Sequence, residues 1–258
     1  MTQKICFTKQ GQVALLTMNN PPANTWTVDS LNRLATLVDE LNGDDDIRSL
    51  VLTGEGEKFF CAGAELSVFA DGDKGKAHAM AQAFGRAFEA LSEFRGLSVA
   101  AINGYAMGGG LEAALACDLR IAAARAVMGL PEARVGLLPC AGGTQLLPHL
   151  VGEAWAKRLI LCGERLGADQ AQAIGLVEEV VSNGEVLTRA LALAERVEGQ
   201  SPGSVAACKR LIQSARRRPL NEGRVRERDA FMALFDTEDQ REGVNAFLKK
   251  REPQWRNR

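Results

Sequence analysis

Only two histidines and one tyrosine occur among 258 residues, and that scarcity closes off several chemistries. His78 and His149 stand far apart, outside HExxH or any other metal-ligand spacing, so both read as surface or packing residues and no metal site is expected. There is no GxSxG elbow, which leaves a serine hydrolase of the α/β type without a nucleophile. Gly108-Gly109-Gly110 fits neither the dinucleotide pattern GxGxxG nor the phosphate loop GxxxxGKS/T. Cysteine is scattered: Cys6, Cys61, Cys117, Cys140, Cys162 and Cys208 form no CxxC pair. A chain of this length buries enough core to fold without disulfide staples, so reduced thiols are expected. No window approaches the roughly 20 apolar residues of a membrane span. Neither sign of charge dominates, with Lys+Arg 31 against Asp+Glu 32, so neither nucleic acid nor membrane is expected as a partner. The opening residues MTQKICFTKQGQ have no signal-peptide core or transit-peptide character, and the final WRNR is no peroxisomal address. The expectation is a soluble, cytoplasmic protein.

What is present is ordinary globular material, 46% hydrophobic and 24% charged, enough for one main domain with an appended segment. β-rich runs at 5–8 and 13–18 flank Gln10-Gly11 as a hairpin, and Asn20-Pro21-Pro22 then breaks the strand. Thr27 caps a predicted helix in which Leu31, Leu34, Leu37, Val38 and Leu41 recur at three-to-four spacing. The runs 49–53 and 98–102 read as buried strands, 119–123 and 127–128 as further short ones, with helices over 76–94 and 111–116. After Pro139 the pattern is helical, over 153–161, 168–174, 186–197, 204–215, 224–235 and 237–250. Alternating strands and helices followed by a helical tail predict an α/β core with a C-terminal helical segment.

Two glycine-rich loops each follow a predicted strand: 59–66 (FFCAGAEL) and 103–112 (NGYAMGGGLE). Small residues let a ligand approach the backbone, and a loop entering a helix leaves N–H groups unpaired beside a partial positive charge. One N–H from each loop would make an oxyanion hole; the plainer alternative is a pair of tight turns. Glu112 lies three residues after Gly109, on the same face of a helix that begins there, and so suits acid/base work beside such a hole. Its neighbours Ala113, Ala114, Leu115 and Ala116 would desolvate it and raise its pKa, although an acid in a first helical turn is also a common capping choice. Glu132, after Pro131, carries the same two readings, catalytic carboxylate or dipole-complementing acid.

In order and spacing, FCAGAEL, GYAMGGGLEAALACDLRIA and LPEARVGLLPCAGGTQ resemble the signature segments of the enoyl-CoA hydratase/isomerase (crotonase) family. The resemblance continues through 167–181 (GADQAQAIGLVEEVV) and 242–255 (EGVNAFLKKREPQW), so it spans essentially the whole chain. It implies an α/β spiral of ββα units over residues 1–200 and a helical oligomerisation segment over 201–258, assembling as a homotrimer or a dimer of trimers. Ala64 and Gly109 match the family's two oxyanion-hole N–H donors, and Glu112 and Glu132 match the two glutamates of its hydratases. Relatives often lack one of that pair; keeping both implies addition of water across the 2,3 double bond of a 2-enoyl-CoA, with Glu112 as base and Glu132 as acid. The acyl-CoA thioester is the implied partner and coenzyme A arrives with it, so no separate cofactor is expected. Coenzyme A contacts are implied near Ala23, Asn24, Ala62, Ala64 and Leu66. Lys249, Lys250 and Arg251 are candidate phosphate ligands by position, or a solvated, dipole-complementing helix end.

The chain departs from the family pattern at three places. Glu65 stands where Asp is usual and is expected to serve loop geometry. Ser67 stands where a basic residue often follows, which removes one phosphate contact. Cys140 replaces a common glycine, either lining the acyl tunnel or packing, with packing favoured. The loop 67–76 (SVFADGDKGK) is expected to wall the acyl pocket. Rival readings within the fold are a double-bond isomerase working through Glu132, or thioester hydrolysis or decarboxylation. A non-catalytic RNA-binding or scaffold relative is disfavoured by the neutral charge and the two glutamates.

Overall fold

The hairpin that opens the fold is built as the sequence spacing predicts. In the computed structural model, which describes residues 4–258, β1 (Ile5–Gln10) and β2 (Val13–Met18) pair antiparallel from Ile5↔Met18 to Gln10↔Val13. Next comes α1 (Val28–Asn42), whose N-cap Thr27 and N3 residue Ser30 satisfy each other's backbone N–H groups in a capping box. Three strand–strand–helix units follow: β3 (Ser49–Gly54), β4 (Phe59–Cys61) and α2 (Lys74–Glu93); β5 (Leu97–Ile102), β6 (Tyr105–Met107) and α3 (Gly109–Ala116); β7 (Leu119–Ala123), β8 (Val127–Gly129) and α4 (Gly143–Ile160). The chain continues through β9 (Leu166–Gly167), α5 (Ala168–Ala173), β10 (Glu179–Val181) and α6 (Val186–Ala194) to α7 (Pro202–Ala215), α8 (Leu220–Leu234) and α9 (Glu238–Leu248). The first three residues of the expected 1–200 core lie outside the described residues.

In each unit the first strand joins one sheet and the second joins another. The larger sheet runs β1-β2-β3-β5-β7-β10 and the smaller β4-β6-β8-β9. Apart from the β1–β2 hairpin and the β8–β9 pair, neighbouring strands are parallel. The central strands of the larger sheet are buried on both faces, which is why they read as unbroken apolar runs. Alternate residues divide between the faces. Leu16, Leu50, Leu52, Ala100 and Ile102 pack with α1, α2 and α3, while Val13, Val51, Val99, Ala101 and Ile121 pack with α6 through Val186, Ala190 and Ala194.

Several boundaries differ from the expected ones for identifiable reasons. Asp73 caps α2 through the N–H groups of Gly75 and Lys76, so the helix begins at Lys74 and shortens the loop before it. The first half of α4 was hidden by Pro148 and by Gly152, which breaks the helix at φ 78°. Strands β4, β6 and β10 have three residues each and β9 has two, too short to show periodicity. The helical tail is anchored by Lys209, whose Nζ donates to Asp118 Oδ2 (2.7 Å) and Gly96 O (3.0 Å).

Candidate active site

Because every second strand crosses into the smaller sheet, the turns that follow β4 and β6 lie side by side. After Cys61, the Ala62 N–H donates to Ala23 O (3.0 Å), and Gly63 turns the chain with φ 98°. Trp26 N–H donates to Gly63 O (2.8 Å) and Glu65 N–H to Trp26 O (2.9 Å). This bridge uses the residues on either side of Ala64 and leaves the Ala64 N–H outside the pairing. Gly109 is the first residue of α3, so its N–H is among those with no partner inside the helix. The indole N–H of Trp26 donates to Gly109 O (3.1 Å) and ties the two turns together. A Cβ placed on Gly63 would lie 3.4 Å from Gly109 N, so the turns are in contact. A Cβ on Gly110 would stand 2.1 Å from Cys61 O, and only glycine permits this approach of α3 to β4.

Both glutamates face the same cavity. Glu112, one turn into α3, is buried, and its Oε1 accepts from Ala141 N and Gly143 N at 2.8 Å each. Burial raises its pKa and the two amide donors pull the other way, with burial prevailing. Glu132 opens a 3-10 turn, Glu132–Val135, with Pro131 just ahead of it instead of inside it. Both its carboxylate oxygens are buried without a hydrogen-bond partner among the described residues. Burial first, and then the charge of Glu112, push its pKa up to about 7. Gly108, at φ 53°, makes room for it, since a Cβ there would lie 3.0 Å from Glu132 Oε1.

The cavity holds about 620 Å³ and is lined by Ala62, Ala64, Gly109, Glu112 and Glu132 together. Leu66, Phe69, Met80 and Phe84 wall one part of it, and Val135, Leu137 and Leu138 another. Cys140 also lines it, its thiol pushed up to about 11 by burial and by Glu112, so it sits neutral beside the carboxylates. Leu66 and Phe69 come from a 3-10 turn, Leu66–Phe69, which belongs to the loop expected to wall the pocket. Glu65 closes that turn locally, accepting from Thr25 Oγ1 (3.3 Å) and Ser67 Oγ (3.0 Å).

Other expected site residues lie elsewhere. Ala23 is not among the residues lining the cavity, and its carbonyl accepts from Ala62 N–H beside it. Asn24 is buried at φ 53°, and its Nδ2 donates to Glu55 O (3.0 Å) and Phe59 O (2.9 Å), so its side chain holds the loop. Lys249 and Lys250 follow α9 and do not line the cavity. Arg251 is paired with Glu242, its Nη2 donating to Oε2 at 2.7 Å. Sequence reasoning missed Trp26, the amides of Ala141 and Gly143, and two arginines in the cavity wall, Arg134 and Arg165. For Arg134 the available signal was its place two residues after Glu132.

Residues 8–258 match the family Enoyl-CoA hydratase/isomerase. The chain belongs to that family. It is 35% identical to the short-chain-enoyl-CoA hydratase of Clostridium acetobutylicum, with 96% of this chain and 95% of that one covered. The solved structure of Pseudomonas aeruginosa DspI superposes with a TM-score of 0.96 at 62% identity, covering 99% of this chain and 97% of that one. The enoyl-CoA hydratase structure from Bacillus anthracis superposes with a TM-score of 0.95 at 35% identity, covering 99% and 100%. The crotonase fold, an α/β arrangement with a largely parallel sheet, is thus established, and the two-sheet strand–strand–helix repeat is its form in this chain.

Proposed function

We propose that this enzyme is an enoyl-CoA hydratase, adding water across the 2,3 double bond of a 2-enoyl-CoA to give a 3-hydroxyacyl-CoA. The observation that carries this reading is the pair of glutamates in one cavity, one held by two amides and the other unpartnered. In this reading the Ala64 and Gly109 N–H groups take the thioester oxygen and stabilise the enolate that develops there. Glu112, fixed by Ala141 and Gly143, accepts the proton of the attacking water as its oxygen bonds to the β-carbon. Glu132 is the acid that protonates the α-carbon, which suits a carboxyl whose pKa lies near 7. Coenzyme A enters as part of the substrate, along Ala62, Ala64 and Leu66, with Ala23 and Asn24 towards its adenine end and Lys249 and Lys250 for its phosphates. No separate cofactor takes part in the scheme. Copies assemble as a trimer or a dimer of trimers, a reading supported by apolar residues left open on α8 and α9.

The experiment is incubation with crotonyl-CoA, following loss of the conjugated enoyl-thioester absorbance and identifying 3-hydroxybutyryl-CoA by mass. Water addition that disappears in Glu112→Gln and Glu132→Gln is the expected result. Bound coenzyme A thioester with no water addition, and turnover of a 3-enoyl-CoA instead, would replace hydration by double-bond isomerisation. Release of free thiol would replace it by thioester hydrolysis.

A further inference from the structure

The glutamates and the oxyanion donors leave two charged groups of the cavity without a task. Arg134 and Arg165 both line it from exposed positions, and neither guanidinium has an ion pair or hydrogen bond among the described residues. The acid nearest in sequence to Arg165 is already taken, because Glu164 Oε2 pairs with Arg158 Nη2 at 2.8 Å. A Cβ on Gly163 would lie 2.9 Å from Arg134 Nε, so Arg134 runs along the segment that carries Arg165 two residues later. The stem of Arg165 lies over Gly129, where an added Cβ would be 3.5 Å from its Cγ. The arginines do not tune the acid: the charge that acts on Glu132 is that of Glu112.

We propose that Arg134 and Arg165 form an anion subsite for a carboxylate at the distal end of the acyl chain, so that the preferred substrates are 2-enoyl thioesters bearing an ω-carboxylate. This rests on the acyl-CoA reading above. Guanidinium groups are planar forks that match a carboxylate in two parallel hydrogen bonds. Position favours the acyl end over a phosphate of coenzyme A. Arg134 sits on the same 3-10 turn as Glu132, Glu132–Val135, and Glu132 must reach the reacting carbons. An anion held in that wall lies on the side of the cavity that carries Glu132, whereas the phosphates are set apart from the thioester by the whole pantetheine arm. Val135, Leu137 and Leu138, on the same wall, would cover the methylene groups between.

The test compares 2-hexenoyl-CoA with its ω-carboxylated counterpart, 2,3-didehydroadipyl-CoA, in wild type and in Arg134→Gln, Arg165→Gln and the two Arg→Lys variants. The expected readout is a wild-type kcat/KM ratio favouring the carboxylated substrate, falling roughly ten-fold with each Arg→Gln as for the loss of one charge-assisted hydrogen bond, with partial rescue by Lys. Titration with the saturated pair, hexanoyl-CoA and adipyl-CoA, reads the same preference as binding and requires no turnover. Carboxylate preference in binding without water addition would overturn the hydratase reading and keep the subsite. Wild type without preference, or a ratio unmoved by the Gln variants, overturns the proposal. An equal loss on both ligands also overturns it, because the arginines would then read a phosphate common to both.

Discussion

Glu112 and Glu132 share one cavity but not one environment: two backbone amides donate to Glu112 Oε1 at 2.8 Å, while both oxygens of Glu132 are buried without a donor. A carboxylate that is buried but supplied with donors can ionise at modest cost, and one buried without donors resists ionisation. The fold therefore sets up unlike environments for two like side chains. Glu132→Gln is expected to abolish hydration while coenzyme A thioester binding stays within a few-fold of wild type. Glu112→Gln should lower kcat by about 10²–10⁴-fold, the usual worth of a positioned acid or base. Stopped assays of kcat together with titration calorimetry of a saturated acyl-CoA separate the two effects. Near-wild-type turnover of Glu132→Gln would remove that residue from the mechanism.

The pH dependence follows from the same asymmetry. With Glu132 required as the protonated acid, kcat/KM should fall as the pH rises past about 7. Glu112, required as base, sets the acid limb, and the two steps belong to the pair because the groups interact. Stability should follow the Glu132 titration as well. Folding takes up a proton between its ordinary 4.5 and its folded value of about 7, so the associated stability is full below 4.5 and is lost as the pH rises through about 7. Glu132→Gln should remove that loss, by on the order of 1–2 kcal/mol after solvent screening. Urea midpoints of wild type and variant at pH 5 and pH 8 check it: the variant should gain over wild type mainly at pH 8.

Much of this was legible in the chain, for physical reasons that can be named. Strands β2, β3 and β5 are buried on both faces and stand out as apolar runs, and Thr27 marks the start of α1. Ala64 and Glu132 lie in turns marked by glycine or proline, and Gly109 and Glu112 follow directly on a glycine-rich turn, where composition betrays the backbone. What escaped notice depends on long-range contact. Trp26 looks like any core aromatic until its indole N–H is seen to donate to Gly109 O, 83 residues away. The amides that hold Glu112 come from residues 29 and 31 positions further on, and no local pattern announces that they donate to it. Cys140 stays neutral for the same kind of reason, since it was the fold that placed it beside Glu112.

The contact between α3 and β4 should tolerate no side chain at residue 110. A Cβ there would stand 2.1 Å from Cys61 O and 2.8 Å from Cys61 C, and the obstacle is backbone, which cannot turn aside as a side chain would. Gly110→Ala is expected to cost about 3 kcal/mol through overpacking, and to lower kcat further by displacing the Gly109 N–H. Gly203→Ala, in helix α7, is the matched control, because nothing lies within 4 Å of its added Cβ. Equal urea midpoints for the two variants would mean that α3 can slide on β4.

Helix α8 buries none of its residues in the single chain, although Phe231 and Met232 lie on it at 59% and 63% exposure. On α9, Phe247 and Leu248 are open at 83% and 72%. Side chains of this size gain about 1.5–3 kcal/mol each on full burial, so a chain that leaves them in water forgoes stabilisation that a second copy can recover. Light scattering on the eluting protein should therefore give the mass of a trimer or of a dimer of trimers, against 27.7 kDa for one chain. Met232→Asp with Phe247→Asp should shift the population to smaller species and lower Tm. A wild-type mass of one chain at micromolar concentration would mean that α8 and α9 remain solvent-facing in the working enzyme, and the assembly reading would fall.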